Sequence, residues 1–523
     1  MKNDLSLEEN LPGYFCTLCY TVIILNDGHR PRRKNMKNQI NVNIYTTDLR
    51  NIKDSSEAWR AGRELFYTTL DRRYNVLDKE LLFKFLNMAI DLQDENGNIV
   101  LFKDEYMPGD ARADIIYKPT YATAVVAIFT YHYHKAEFTD SMITFFKKLL
   151  GAFDSIKGHG FDAADTVLET MEMLSNDIVK SFIENNPELG TTLSKTINHY
   201  LVEFKKVLSS GEKITHGFNS TPQNPRIQKI VSFWEGKNKP VFVYGTLLKG
   251  QKAHHLLEGA DYCGKFALQN CAMFNLGAFP GLKRRKGEQI IGEVYFVTEE
   301  TLDSLDRYEG EGSLYNRTMA QAVNPALTVV CYTYLYRGEV DDDDIMVEPW
   351  NADKNDYVWY AGYGSNLSEE RFNYYIKGGI CNSNGIRYNG CSDKSDWLET
   401  KTQKFKGRMY FGNESRSWGG KGVAFYDKYG DGKVQMKLYK ITRGQLSDIR
   451  LQEGSSDIWY GRKVFLGFDT DGTEIYTLTS KDLVPQNEPA PEYLELIEKA
   501  LKKYCGYDSK SAKSYIESCK MGL

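Results

Sequence analysis

Val241–Leu247 reads VFVYGTL, and a near copy of its design returns at Tyr360–Leu367 as YAGYGSNL. Each is an apolar, β-rich run that delivers an aromatic residue and a glycine into a tight turn. A turn of this kind exposes successive backbone N–H groups, which suit a carboxylate or a developing oxyanion. A second feature follows each copy. LDRYEG (Leu305–Gly310) comes after the strand-like GEVYFV (Gly292–Val297), and IRLQEG (Ile449–Gly454) after the strand-like MKLYKI (Met436–Ile441). Turn, strand, then a helix ending in Glu-Gly occurs twice in the same order, which defines an internal repeat.

The rest of the chain sets bounds on this reading. A length of 523 residues leaves room for about three or four domains. A hydrophobic content of 41% with 13% aromatics is ample for packed cores. The net charge of −4 gives no global reason to expect nucleic acid or an anionic membrane surface. The longest apolar runs, such as Ala122–Phe129, fall far short of a membrane span, and MKNDLSLEEN at the amino terminus is acidic and polar where a signal peptide is expected to be basic and then apolar. A soluble cytoplasmic protein is therefore expected.

Nine scattered cysteines do not form a disulfide framework. Cys16 and Cys19 make one CxxC with no second pair at zinc spacing, so buried thiols in the β-like run Tyr14–Leu25 are expected there. The basic stretch HRPRRKNMK that follows reads as a solvated loop.

From about residue 55 to 208 the pattern is helical. Met142, Phe146, Leu149, Leu150 and Phe153 make one amphipathic stripe. Ala164, Val167, Leu168 and Met171 make another after Asp162, a candidate N-cap, and Leu193–Leu208 a third after Thr191 and Thr192. His132, His134 and His159 lack fixed ligand spacing with nearby acids and read as core or surface histidines. The expected organisation is an all-α domain over 1–208 and a linker over 209–238. A first β-rich domain over 239–340, an acidic linker over 341–356 and a second β-rich domain over 357–523 follow.

Residues 241–340 resemble the γ-glutamylamine cyclotransferase branch of the γ-glutamylcyclotransferase-like superfamily. The matching stretches are YGTLLKGQKAHHLLEGA (Tyr244–Ala260), NLGAFPGL (Asn275–Leu282), GEVYFV, LDRYEG and LYNR (Leu314–Arg317). Residues 357–523 resemble γ-glutamylcyclotransferase itself through GYGSNL (Gly362–Leu367), FGNESRSWGGKGVAFY (Phe411–Tyr426), RLQEG and NEPAPEYLELI (Asn487–Ile497). The resemblance implies a multidomain chain in which an all-α N-terminal domain precedes two α+β, small mixed β-barrels. Each barrel would have its YG turn and a glutamate facing one cavity.

It implies, too, a cyclotransferase cleaving γ-glutamyl amide or isopeptide bonds to 5-oxoproline and an amine. Such a substrate carries its own nucleophile, the α-amine, so no enzyme nucleophile, cofactor or metal is called for. Glu309 and Glu453 align with the family's catalytic glutamate, which moves the proton. Tyr244, Gly245, Thr246, Leu247 and Tyr315 in the first repeat, and Tyr363, Gly364, Ser365, Asn366 and Leu367 in the second, would bind the substrate. That substrate would be a γ-glutamyl small molecule or a γ-glutamyl-modified peptide or protein.

Independently of the resemblance, the last histidine is His255, so a Ser-His-Asp or Cys-His site or a His-ligated metal within the second repeat alone is excluded. Asp469–Glu474 (DTDGTE) and Tyr429–Gly432 (YGDG) read as hairpin turns rather than calcium loops. Two alternatives stay open. One is a γ-glutamyl amide hydrolase. In the other, one or both barrels serve as binding modules while the helical domain contacts a protein partner.

Overall fold

The computed structural model describes residues 43–103, 113–154, 164–216 and 219–520. The Tyr14–Leu25 run, Cys16 and Cys19, the basic stretch, His159 and Asp162 lie outside the described residues. The chain forms two compact units. The first spans residues up to Lys239 with Ala260–Cys263 and Phe296–Glu299; the second holds Pro240–Gly259, Gly264–Tyr295 and Glu300–Leu523.

The first unit is helical. Its helices include α1 (Ser55–Leu70), α2 (Lys79–Asp91), α3 (Lys118–His134), α4 (Asp140–Gly151), α5 (Ala164–Leu174), α6 (Asp177–Asn185), α7 (Pro187–Ser210) and α8 (Asn224–Trp234). Helix α3 has no exposed face over its first three turns: every residue from Lys118 to Ile128 is buried. A helix buried all round must be the core element, and α1, α2, α4 and α6 pack against it. The expected stripes face inward, with Phe146, Leu149, Phe153, Met171, Leu193 and Phe204 buried. The third begins earlier than expected, at Pro187, because a proline at the first helical position has no N–H to lose and Asn186 precedes it. Residues 209–238, read from composition as a linker, contain a short hairpin (Thr215–His216 with Asn219–Pro222) and helix α8, packed on α5 and α7. Gly, Ser, Asn and Pro mark the ends of these elements rather than a loose tether. Among the described residues no helix is long and apolar enough to cross a membrane.

The second unit is built on β-sheet. Strands β1 (Lys239–Val243), β2 (Asp261–Asn275), β3 (Pro280–Val297), β4 (Tyr315–Val323) and β5 (Thr328–Tyr336) run in the order β3-β1-β5-β4-β2. A further β3–β2 pairing closes the ring. Helix α9 (Glu299–Glu309) follows β3. Past the acidic stretch, β6 (Tyr357–Gly362), β7 (Thr400–Lys406), β10 (Lys433–Thr442), β11 (Arg462–Phe468) and β12 (Glu474–Thr479) form a five-stranded sheet in the order β7-β10-β6-β12-β11. β8 (Arg408–Ser415) and β9 (Lys421–Asp427) pair as a separate hairpin. Helix α10 (Glu369–Lys377) follows the second YG turn, and α11 (Arg443–Gln452) follows β10, started by a Thr442/Gln445 capping box. DTDGTE turns the β11–β12 hairpin, with Gly472 at φ 84°. YGDG joins β9 to β10, which belong to different sheets, so it is a crossover and not a hairpin turn.

The two halves of this unit share a buried charge cluster. Arg443 and Glu474, each 3% exposed, are in contact, and Lys265 of β2 reaches Glu474 at 3.4 Å. Arg443 also lies 3.7 Å from Glu348 and 3.8 Å from Asp356, both flanking the start of β6. Around it, Ala267 and Ile291 of the first half pack in one apolar cluster with Val358, Tyr360, Ile441 and Tyr476 of the second. Removing one partner of a buried pair strands the other charge away from water. Glu474→Ala is therefore expected to destabilise this unit by about 3–5 kcal/mol in urea unfolding, and Lys499→Ala, at an exposed pair, by less than about 1 kcal/mol.

Candidate functional site

Both YG turns leave a strand at the centre of a sheet, and both are fastened the same way. β1 pairs in parallel with β5 (Val241 opposite Tyr332), and β6 pairs in parallel with β12 (Tyr360 opposite Tyr476). The Tyr244 hydroxyl donates to the Tyr334 carbonyl at 2.7 Å, and the Tyr363 hydroxyl to the Leu478 carbonyl at 2.8 Å. Each tyrosine thus spends its hydroxyl on the neighbouring strand. Leu247 and Leu367 put their side chains into the core, so only their backbone faces any ligand.

The first turn is compact. Leu248 N–H donates to Gly245 O, Lys249 N–H to Glu293, and His254 Nδ1 lies 2.9 Å from Leu247 O. Among the described residues the buried N–H groups of Gly245, Thr246 and Leu247 have no protein acceptor. Gly245 is required by close approach, since a Cβ there would meet Pro280 at 2.7 Å. In the second turn Gly364 is required twice over: its φ is 57°, and a Cβ would sit 2.6 Å from that of Ala424.

The glutamates reach these turns because a helix runs back along the sheet. β6 and β10 are antiparallel, with Gly362 opposite Lys437 and Tyr357 opposite Thr442. Five strand residues climb roughly 17 Å. The ten residues of α11 then descend about 15 Å. Glu453, just past the end of α11, thereby returns to the level of the turn, and Asn366 Nδ2 donates to its Oε1 at 2.7 Å. In the first half α9 follows β3 in the same way, and Tyr308, the residue before Glu309, has its hydroxyl 3.0 Å from Thr246 Oγ1.

The two carboxyls differ. Glu309 is partly buried and receives no hydrogen bond from the described residues, and burial alone pushes its carboxyl up to about 7. It lies among Tyr244, Tyr315 and Tyr334, whose hydroxyls are raised chiefly by burial and further by its charge. Tyr315 is fixed by donating to Pro280 O at 2.9 Å. Glu453 is also raised by burial, but the Arg371 charge and hydrogen bonds from Asn366 and Tyr375 oppose the shift. Asn366 donates as well to Tyr360 OH at 3.0 Å, while its Oδ1 is buried without a partner among the described residues. Ser365 and Ala424 bond the hydroxyl of Tyr493.

Tyr308, Tyr334, Tyr375, Tyr460, Tyr493 and Arg371 were not singled out by sequence reasoning. For Arg371 and Tyr375 a signal existed: they lie four apart on the helix that follows the YG turn, hence on one face. The others come from distant segments and share no spacing. Among the described residues no group of three or more His, Cys, Asp or Glu is placed to hold a metal ion. A cavity of about 990 Å³ opens elsewhere in this unit, between Arg285, Glu288, Phe405, Arg450 and Arg462, and neither glutamate nor either turn lines it.

Residues 241–352 match the family model described as γ-glutamyl cyclotransferase, AIG2-like. The chain is 40% identical over 96 residues to a Vibrio cholerae protein named as a γ-glutamylcyclotransferase, covering 18% of this chain and 80% of that one. It is 37% identical over 92 residues to γ-glutamylaminecyclotransferase A of Danio rerio, covering 16% and 56%. It is also 30% identical over 218 residues to histone deacetylase 5 of Arabidopsis thaliana, covering a third (33%) of each chain. With its turn and glutamate inside the matched segment, the chain belongs to the γ-glutamylcyclotransferase, AIG2-like family.

Proposed function

We propose that the second unit is a pair of γ-glutamylcyclotransferase-like domains, over about 239–340 and 357–523, that release 5-oxoproline from γ-glutamyl amides. The observation that carries this reading is the recurrence, on one strand topology, of a desolvated glutamate beside a YG turn, with unpartnered N–H groups at the first of the two turns. A carboxyl pushed up to about 7 is matched to accepting a proton near neutrality.

The chemistry balances without any further reagent. Glu309 or Glu453, ionised, takes a proton from the α-ammonium of the γ-glutamyl group. The freed amine attacks the γ-carbonyl carbon, forming the C–N bond that closes a five-membered ring. The carbonyl oxygen becomes an oxyanion, and the turn N–H groups of Gly245–Leu247 would hold it in the first site. The amide C–N bond then breaks as the glutamic acid returns its proton to the departing amine, and the ring nitrogen passes its second surplus proton, through the freed carboxylate, to that amine, which leaves as an ammonium. Holding amine and carbonyl of one molecule in contact supplies most of the acceleration as proximity. Tyr315 and the tyrosine-lined walls would exclude water, which favours the internal amine over hydrolysis.

The two sites are assigned different amine halves, an amine such as a lysine side chain for the first and an amino acid for the second. The support is the resemblance of each half to a different branch, together with the relative named for γ-glutamylamines. Mass spectrometry of products from a γ-glutamyl amide panel tests the reading, 5-oxoproline being the expected product and free glutamate the sign of a hydrolase. Glu309→Gln and Glu453→Gln should each lower one activity by roughly 10²–10⁴-fold and spare the other. Equal loss of the same activity in both would end the division of labour. The Glu309-dependent rate should rise with pH through about 7 as the carboxyl ionises.

The same desolvation has a stability signature. The folded state binds the Glu309 proton more tightly than the unfolded chain, so stability falls as pH rises from the ordinary carboxyl range through about 7. Glu309→Gln removes the group that must ionise. Relative to wild type it should gain on the order of 2 kcal/mol between pH 4.5 and pH 8.5 in thermal or urea unfolding. No relative gain would mean that Glu309 is well solvated and unsuited to the role.

A further inference from the structure

We infer that Arg371, acting through the Tyr375 hydroxyl, is the positioning residue that holds Glu453 as an ionised acceptor in the second site. The inference rests on the reading of Glu453 as the proton acceptor and assigns the second site a device that the first lacks.

Arg371 is a buried cation without a carboxylate. It is 8% exposed, and among the described residues no Asp or Glu oxygen lies within 4 Å of it. Its polar contacts are long: Nη1 reaches Cys381 Sγ at 3.7 Å and Nη2 the Tyr375 hydroxyl at 3.4 Å. The rings of Tyr375 and Tyr388 each lie 5.8 Å from the guanidinium carbon, and Nε has no acceptor among the described residues. A guanidinium is costly to bury unless an anion answers it. Burial opposes the Arg371 charge, and the Glu453 carboxylate is among the groups whose charge favours it.

The geometry connects them through one hydroxyl. Arg371 and Tyr375 sit four residues apart on α10, which places both on one face. Arg371 donates to the Tyr375 oxygen at 3.4 Å, Gln452, the residue before Glu453, donates to the Tyr375 carbonyl at 3.0 Å, and the Tyr375 hydroxyl is one of the groups that hold the Glu453 carboxyl down. A hydroxyl that accepts from a cation is a stronger donor, so the relay favours the ionised carboxylate more than a tyrosine alone would. Asn366 supplies a second donor at 2.7 Å.

The groups that face Glu453 can be named from each surrounding element. They are Tyr360 on β6, Tyr363 and Asn366 at the turn, Arg371 and Tyr375 on α10, and Tyr460 ahead of β11. Arg371 is the only one of them that is a cation, and none is another carboxylate. Glu309, by contrast, has no donor and no cation among the causes of its shift.

The test uses the full chain, labelled with ¹³C at the glutamate carboxyl carbons and titrated by NMR. The Glu453 signal is assigned by its loss in Glu453→Gln. Tyr375→Phe removes the relay and leaves Arg371 against Cys381, and Arg371→Met removes the charge at similar length. The expected result is a Glu453 midpoint moved up by on the order of one pH unit in each variant, with the Glu309 midpoint unmoved. Arg371→Lys should restore part of the shift. If Arg371→Met fails to fold, Tyr375→Phe decides alone. A folded Tyr375→Phe variant whose Glu453 midpoint stays in place overturns the inference. A midpoint that moves in a chain without cyclotransferase activity sustains the relay and removes the proposed reaction; an active chain with an unmoved midpoint does the reverse.

Discussion

A tyrosine hydroxyl bound to the carbonyl of a parallel neighbour is the fixed point of both halves of the β-rich unit. Tyr244 on Tyr334 O and Tyr363 on Leu478 O lock the turn to a strand that pairs with the one feeding it. With the turn fastened there, the opposite neighbour, β3 or β10, can only send its helix back along the sheet. The helix length then sets where a glutamate arrives. Ten or eleven residues of helix match five or six of strand, which is why the Glu-Gly pair ends each helix.

The two glutamates show how one topology supports different electrostatics. Glu309 is shifted by lack of water alone. Glu453 is pulled in both directions, by burial and by a cation and two donors. Nothing in the strand order requires this difference. It comes from single side chains: Asn366 in place of the shorter YGTL turn, and an arginine one helical turn before Tyr375. The scaffold fixes where a carboxyl sits, and neighbouring side chains determine how readily it gives up its proton.

Much of this arrangement was legible in the sequence, for a physical reason. Short continuous apolar runs ending in Gly, and helices ending in Glu-Gly, are local patterns, and the repeat doubled their weight. The helical stripes of residues 142–153 and 193–204 were legible on the same ground. What the sequence hid was long range. The Arg443–Glu474–Lys265 cluster joins residues over 200 positions apart, and the tyrosines around Glu453 arrive from four separate segments. The compositional linker at 209–238 misled because Asn, Pro and Gly serve equally well as caps and turns. Within the β-rich unit, the segment after Gly378 lengthened the spacing from turn to glutamate without changing the outcome, since register and not chain length brings them together.

The shared charge cluster between the halves has a bearing on how this chain can change over time. Ala267 on one side and Arg443, Glu474 and Tyr476 on the other are buried where the halves meet, with the more exposed Lys265 reaching Glu474 from the first half, so a substitution in either half is felt by both. A gene fragment encoding only residues 239–340 would expose Ile291 and Ala267 to water and leave Lys265 without its carboxylate. The two halves are therefore coupled through this joint surface, and a change around either glutamate is tolerated only while the residues that join the halves keep their packing.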